Sequence, residues 1–559
     1  MPNLERNRFA ENPINLDIQR SVFNMNHSMK FTGNVGDLIP FELLEVLPGD
    51  TFSIDTSKVV RMQPLVAPIM DDVFLDTYYF FVPTRLIWSH WKEFWGENTQ
   101  GAWYPQVDYT VPQLTIPSGG FDIGTIADYI GVPPKAGAGK KISALPFRAY
   151  AKCCDDWFRD ENLMNPVNVS VGDSDVTGVN TGDQVTDIQL GGKPFIACKY
   201  FDYFTACLPG AQKAAGPSVE FALRGLLPVN AYRNKDNIQT AVTDQSLATI
   251  KFKKDISTSP STEFSGTLGI NSGASNSYGT SVPSGTAYSV TPSNLFANLD
   301  NVNVFDINSL RQAFAIQRYY EKLARGGSRY IEFIKSFFNV DSPDARLQRS
   351  EYLGGSRLPL NVNQVEQTSA TESGLTPQGN LTGISHTGEV TSDFTKSFTE
   401  HGYIIGVCVA RYHHSYQQSI DRTFFRKTKF DYYNPTFANL GEQGVYEKEI
   451  YFDNTDNGSV PNVFGYQEAW ADYRYKPNRV AGEMRSVATT PLDMWHLADN
   501  YASVPYLSDE WIREDKTMLD RCLAVTSAVS NQLIFDFYIQ IKAARPMPLY
   551  SIPGLIDHH

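Results

Sequence analysis

Residues 533–542 read Leu-Ile-Phe-Asp-Phe-Tyr-Ile-Gln-Ile-Lys. Leu533, Phe535, Phe537, Ile539 and Ile541 take every second position, and Ile534, Asp536, Tyr538, Gln540 and Lys542 fill the others. Successive side chains of a strand point to opposite faces, so this alternation predicts one buried face and one mostly polar face. Tyr403, Ile405, Val407 and Val409 repeat the pattern across 403–411. Near the other end, Phe41 to Leu47 runs into the turn Pro48-Gly49-Asp50, and Val73 to Val82 lies between Asp71-Asp72 and Pro83. β-branched and aromatic runs between turn residues are strand signals. Strands at both ends of a 559-residue chain predict one sheet system with very long insertions, not a string of independent domains.

Composition points the same way. Charged residues are 19% of the chain, below the usual quarter, and 34 Phe with 29 Tyr outnumber the 48 Lys and Arg. With 40 Gly and 32 Pro, this suits strands and long loops better than helical bundles. The net charge of −13 excludes a basic coat over the whole surface and leaves a local basic face open. The six Cys are dilute, with no CxxC and no His at zinc-finger spacing. They read as reduced core thiols of a protein made in the cytoplasm. The opening MPNLERNRFAENPINLD lacks the apolar core of a signal peptide, and no apolar run approaches the ~18–20 residues of a membrane span.

The first 30 residues, with Arg6, Arg8, Arg20 and Lys30, read as an extended arm, and residues 31–559 as one core carrying insertions. Helices are few. Ser309 to Arg325 is the best candidate, with Ser309 and Gln312 as a capping box and Gly326-Gly327 as the stop. Trp88, Trp91 and Trp95 form a stripe at helical spacing, read as core in preference to an aromatic binding box. Residues 257–299 are mostly Ser, Thr, Gly, Asn and Pro, with Glu263 the only charge. Such a tract has little to bury, and the insertion around it is taken as residues 232–300.

Tests for chemistry come back empty. There is no GxxxxGK[ST], GxSxG or HExxH, and the glycines of 131–140 form a turn-rich linker. His413 and His414 are adjacent on an apparent strand and point opposite ways, so they do not chelate one ion together. Asp71-Asp72 and Asp155-Asp156 read as solvated turn acids. No catalytic residue, metal or cofactor is expected. Residues 421–437, DRTFFRKTKFDYYNPTF, are different: Arg422, Arg426, Lys427 and Lys429 interleave with Phe424, Phe425, Phe430, Tyr432 and Tyr433. Tyr473 to Arg479 has the same character, with Arg474, Lys476 and Arg479. Cations for phosphates and flat rings for bases suit single-stranded nucleic acid. A subunit interface, also rich in Tyr and Arg, is the other reading. Strand-like alternation across 422–430 would keep these side chains from sharing one face.

Longer segments carry a resemblance. Val46 to Phe52 (VLPGDTF), Phe74 to Trp91 (FLDTYYFFVPTRLIWSHW), Ala324 to Tyr330 (ARGGSRY), Pro343 to Gly355 (PDARLQRSEYLGG) and Phe464 to Arg485 (FGYQEAWADYRYKPNRVAGEMR) lie in order over nearly the whole chain. Together they resemble the major capsid proteins of the Microviridae, phages with circular single-stranded DNA, and most closely the gokushovirus group. Ser350 stands where that family would have proline. The resemblance implies an all-β fold, an eight-stranded antiparallel jelly roll of viral capsid type with long loop insertions and a few short helices. It implies a T=1 icosahedral shell of identical subunits around the DNA, a virion protein assembled in the bacterial cytoplasm. The implied partners are a small basic DNA-binding protein, a pilot protein, an internal scaffolding protein and a host surface receptor.

Several expectations combine residues and resemblance. The insertion 232–300, with Ser257 to Leu299 at its tip, is expected to protrude near a threefold axis and present Tyr278 and Tyr288 to a receptor. Arg311 to Arg357 holds nine basic and five acidic residues, so Arg318, Arg325 and Arg329 are expected at subunit contacts. The basic and aromatic residues of 422–429 and 474–479 are expected on the inner face, against DNA. The rival from another class is a β-rich glycan-binding or glycan-cleaving protein using paired carboxylates.

Overall fold

The computed structural model describes residues 20–97, 108–213, 229–231, 252–254, 263–264, 290–292, 295–297, 307–326, 336, 348–369, 378–452 and 462–550. Eight principal strands build its core: β1 (His27–Gly33), β2 (Asp37–Val46), β3 (Thr51–Met62), β4 (Val73–Pro83), β5 (Glu351–Leu360), β6 (Leu381–Ser397), β7 (Gly402–Tyr412) and β8 (Leu533–Arg545). One sheet has the order β1-β8-β3-β6 and the other β2-β7-β4-β5, with every pairing antiparallel. Consecutive strands change sheet at every step except β4 to β5. Short strands extend the sheets: Ser21–Asn24 beside the end of β8, Val362–Glu366 outside β6, and Phe195–Ile196 outside β2. Two long connections, residues 84–350 and 413–532, carry most of the remaining chain.

The alternation in β8 is the one expected, with odd positions from Leu533 to Ala543 buried and even positions from Ile534 to Lys542 exposed. Those odd side chains meet the other sheet. Phe537 packs edge-on against Phe41 of β2 and against Phe31, each at 5.1 Å, and Phe535 stacks on Phe31 at 4.7 Å. Each such ring contributes ~1.5–3 kcal/mol through area removed from water. A polar seam crosses this core. Lys58 of β3 donates to Thr77 Oγ1 at 2.9 Å and to Ser356, and burial lowers its pKa. Thr56 and the Tyr79 hydroxyl bond at 2.8 Å beside it.

In β7 the outcome differs from the expected single buried face. Ile404, Cys408, Ala410 and Tyr412 enter the sandwich core, while Ile405, Val407 and Val409 enter a second core. That second core holds Trp88, Phe121 and Phe147 of α1 (Leu145–Cys153), all from the first long connection. The outer face of the second sheet is thus covered, whereas Val390 on the outer face of the first is 75% exposed. At the sheet rim Gly36 has φ +86°, and a Cβ there would lie 2.8 Å from Glu514 Cβ, so only glycine fits without displacement.

Other expectations shift. Strands begin at Ser21 and His27, inside the stretch taken as an arm. The long helix α2 spans Ile307–Gly326, so Ser309 lies within its first turn and does not begin it. The tryptophan stripe is broken: the helix is only Trp91–Phe94, stopped at Gly96 with φ +97°, leaving Trp88 buried and Trp95 exposed. A second compact unit, Gln212–Lys322, contains the 232–300 tract. Within it Phe252–Lys254 pairs antiparallel with Glu263–Phe264 and Val290–Pro292, and Val229–Ala231 pairs with Leu295–Ala297. Tyr278 and Tyr288 lie outside the described residues, as does Arg329. All six cysteines are unpaired and five are buried. No described helix is long and apolar enough to cross a membrane.

Of the paired acids, Asp72 is exposed as expected, but Asp71, Asp155 and Asp156 are engaged. Buried Asp156 accepts from the Ser350 N–H at 2.8 Å, the Ser350 hydroxyl at 2.9 Å and Lys152 at 2.7 Å. Asp155 pairs with Arg159 at 2.9 Å, and Asp71 accepts from the Leu497 N–H at 2.6 Å. They fasten connections to the core. A proline at 350 could supply neither donor to Asp156.

Candidate nucleic-acid interface

Residues 421–437 fold as three short 3-10 turns, Arg422–Phe425, Lys429–Asp431 and Pro435–Phe437, and contain no strand. This corrects the alternation expected across 422–430, and the cause is local. Asp431 accepts from the Thr428 and Lys427 N–H groups at 2.6 and 2.9 Å, and Thr428 closes a capping box with it. Asn434 accepts from the Thr436 N–H at 3.0 Å, with Pro435 opening the turn. Short polar side chains thus take the backbone donors that a sheet would need. The same bonds hold the Asp431 carboxyl below its ordinary pKa.

Three of the expected phosphate ligands are committed inside the chain. Arg422 donates to the Gly444 carbonyl at 2.9 Å, reaches Glu449 at 3.4 Å and lies 4.7 Å over the Tyr446 ring. Burial is the largest single influence and opposes its charge, but Glu449, Tyr203, Tyr446 and Asp472 together outweigh it and raise its pKa. Arg426 pairs with Asp472, donates to the Tyr473 hydroxyl at 2.6 Å and sits 4.2 Å over the Tyr473 ring. Arg474 pairs with Glu468 and donates to the Ala469 carbonyl at 2.6 Å. Phe425 is half-buried under the Lys448 ammonium at 4.3 Å. Within the chain each of these arginines anchors a turn, and Arg474 is still half exposed.

The same pairings bring the two stretches together. Asp421 lies 3.3 Å from Arg479 and 4.0 Å from Lys476, while Asp472 holds Arg426. Beneath them, Glu442–Tyr446 and Val463–Glu468 pair antiparallel, and Phe204, Tyr416, Val445, Ile450 and Phe464 form a third hydrophobic cluster. On the surface stand Phe424 at 71% exposure and Phe430 at 62%, with Tyr432, Tyr433, Tyr473 and Tyr475 also exposed. Lys427, Lys429 and Lys476 are exposed among them, and the Lys429 ammonium lies 5.1 Å from the Phe430 ring. Rings buttressed by internal arginines, with lysines between them, can stack on planar groups and neutralise phosphates.

Of the residues expected at subunit contacts, Arg318 is exposed on α2. Arg325 is engaged within its own chain, paired with Glu442 and lying 3.2 Å from Glu468. Sequence reasoning also missed a buried charge cluster. His414 is held between Asp499 and Glu514, each at 2.9 Å, and Lys199 lies 3.4 Å from Asp499. Burial opposes the His414 charge, but the two carboxylates outweigh it and push the pKa up to about 9. The partners come from positions far apart in sequence, so no spacing announces them. His413 instead packs against Phe74 and Tyr200. Among the described residues no group of three or more His, Cys, Asp or Glu could hold a metal ion.

Comparison with known proteins decides the class. A family model described as capsid protein (F protein) matches residues 14–555. The chain belongs to that family. It is 43% identical over 551 residues to the capsid protein VP1 of Spiroplasma virus 4, covering 96% of both chains. It is 39% identical over 599 residues to VP1 of Chlamydia phage 1, covering 99% of this chain and 98% of the relative. VP1 of Bdellovibrio phage phiMH2K is 37% identical over 556 residues, covering 98% and 97%. The chain is therefore a Microviridae capsid protein of gokushovirus type, a structural component of the virion and not an enzyme. The glycan-binding or glycan-cleaving alternative falls with that.

Proposed function

We propose that this capsid protein folds as an eight-stranded jelly roll and assembles into a T=1 icosahedral shell enclosing circular single-stranded DNA. The observation that carries the reading is the strand order, β1-β8-β3-β6 opposite β2-β7-β4-β5. Interleaving first with last and second with second-last is the wrapping of a double Greek key. Family membership supports closed assembly from identical copies. Assembly takes place in the bacterial cytoplasm, and six unpaired cysteines fit a reducing compartment. Electron microscopy of the purified protein is expected to give uniform closed particles; dispersed monomers or open sheets would overturn the proposal.

The genome contact proposed here is the ring-and-lysine surface of Phe424, Phe430, Tyr432, Tyr473, Lys427, Lys429 and Lys476, on the inner face of the shell, with Arg479 at its margin. Binding is sequence-tolerant, since it uses phosphate charge and ring faces. A subunit of net charge −13 does not neutralise a packaged polyanion alone, which calls for a small basic DNA-binding protein as partner. A pilot protein and an internal scaffolding protein complete the assembly, and Arg318 lies at a subunit contact. The unit carrying 232–300 is the outward protrusion that meets the host receptor, through residues such as Tyr278 and Tyr288. Deleting 257–299 is expected to spare shells and reduce adsorption to cells. Shells that fail to form would assign the tract to assembly.

A further inference from the structure

A pocket of about 480 Å³ is lined by Arg85, Trp91, Lys92, Trp95, Glu97, Glu400 and His401. That volume falls within the range of small-molecule sites. Its wall is an aromatic shelf. Trp95, 61% exposed, lies parallel to the His401 imidazole at 4.8 Å and 14°. Trp91 meets His401 edge-on at 5.4 Å and Trp95 at 5.8 Å, which fixes both rings from behind. Burial lowers the His401 pKa, so the imidazole backing Trp95 is neutral at neutral pH. The floor is polar and held in place: Arg85 Nε and Nη2 donate to the two oxygens of Glu400 at 2.8 and 3.3 Å, with both side chains largely buried. Lys92 and Glu97 stand exposed at the rim.

The charges decide the ligand class. Arg85 and Lys92 are balanced by Glu400 and Glu97, so a phosphodiester gains no net attraction here, unlike at the lysines of 427–476. What the pocket offers is a flat indole face, a fixed guanidinium–carboxylate pair and two mobile charged groups that donate and accept hydrogen bonds. A neutral ring with one apolar face and hydroxyls around its edge satisfies all three. We propose that this pocket binds a pyranose ring of a saccharide, stacked on Trp95 and hydrogen-bonded at the Arg85–Glu400 floor. None of its lining residues belongs to 232–300 or to the proposed genome contact.

The test uses assembled particles and ligand-observed saturation-transfer NMR with methyl α-glucoside, methyl β-galactoside and N-acetylglucosamine as probes, and a short oligothymidylate for comparison. Saturable transfer to at least one sugar is expected. Trp95→Ala should weaken it about tenfold, the size of a stacking contribution near 1.4 kcal/mol, while Trp95→Phe keeps a measurable part. Particle formation by each variant, seen by electron microscopy, separates loss of the site from loss of fold. No transfer to any of the three sugars in the wild-type particle would overturn the proposal without reference to variants. Transfer unaltered by Trp95→Ala would do the same, as would binding of the oligonucleotide in place of the sugars. Transfer to isolated subunits but not to particles would make the pocket a subunit contact and also end the saccharide reading.

Discussion

The two-sheet sandwich and the turn surface of 421–479 use similar residues to opposite ends. Both are rich in Phe and Tyr. In the sandwich the rings are inside, because strands of period two facing another sheet must bury every second side chain. On the turn surface Phe424 and Phe430 are outside, while Arg422 and Arg426 are inside, against tyrosine rings and against Glu449 and Asp472. Regular secondary structure lets hydrophobicity predict orientation. Where capping side chains set the backbone, charge pairing predicts it instead.

The sharpest test of the contrast removes one ring from each region. Phe537 is fully buried between Phe31 and Phe41, and Phe537→Ala is expected to cost ~3–5 kcal/mol in chemical denaturation. Phe424→Ala should stay within about 0.5 kcal/mol of wild type, as for an exposed site away from special features. Equal costs would mean that Phe424 is covered in the isolated subunit and that the comparison is drawn wrongly.

Arg426 comes next. Its side chain and that of Asp472 are 8% and 11% exposed, so removing the guanidinium strands a carboxylate in a low-dielectric site. Arg426→Ala should destabilise by about 3 kcal/mol, and adding Asp472→Ala should recover part of that. A phosphate ligand free in solution would show neither effect. Arg426 therefore belongs with the fold, and a packaging defect in Arg426→Ala would report unfolding of the rings it supports.

This bears on what was legible. The strand β8 could be read from ten residues because its environment is uniform along its length. In β7 the same pattern gave the right element and half the burial, since the cover over its second face comes from residues 84–213, remote in sequence. That 421–437 and 473–479 carry exposed rings and lysines was legible, because cations and rings cluster in composition. The internal arrangement of these turns was not, because Asp421, Asp472 and Glu449 claim arginines across tens of residues. The Thr428–Asp431 capping box and Asn434-Pro435 were readable signals against a strand.

The His414 cluster extends the contrast to pH. Its folded pKa of about 9 lies above the ordinary 6.5, so its stabilisation is complete below about 6.5 and is lost as pH rises through about 9. Asp499 is depressed: burial opposes its ionised form, and His414 and Lys199 outweigh it. Its contribution is therefore present at neutral pH and fades only in strong acid. Thermal melts from pH 7 to 10 should fall for wild type and flatten for His414→Gln, which lacks the titrating proton. A wild-type melt that is level across that range would remove the ion cluster as a source of stability.

The smallest effect on stability should accompany the largest on binding. Lys427, Lys429 and Lys476 are exposed, and Lys476 lies 4.0 Å from Asp421. Replacing all three by Gln removes positive charge without emptying a packed site, so denaturation should shift by no more than about 0.5 kcal/mol. Each lysine that contacts a phosphate releases a counterion, and for single strands the slope of log K against log salt is about −0.7 per contact. The triple variant should therefore lose about 2 units of slope in oligothymidylate binding by fluorescence anisotropy, with little dependence on base sequence. Arg479→Gln, a residue held by Asp421 at 3.3 Å, should change the slope less than any one of the lysines. An unchanged slope in the triple variant would mean that these lysines meet another subunit, and that ring-and-lysine composition alone does not distinguish a genome surface from a protein contact.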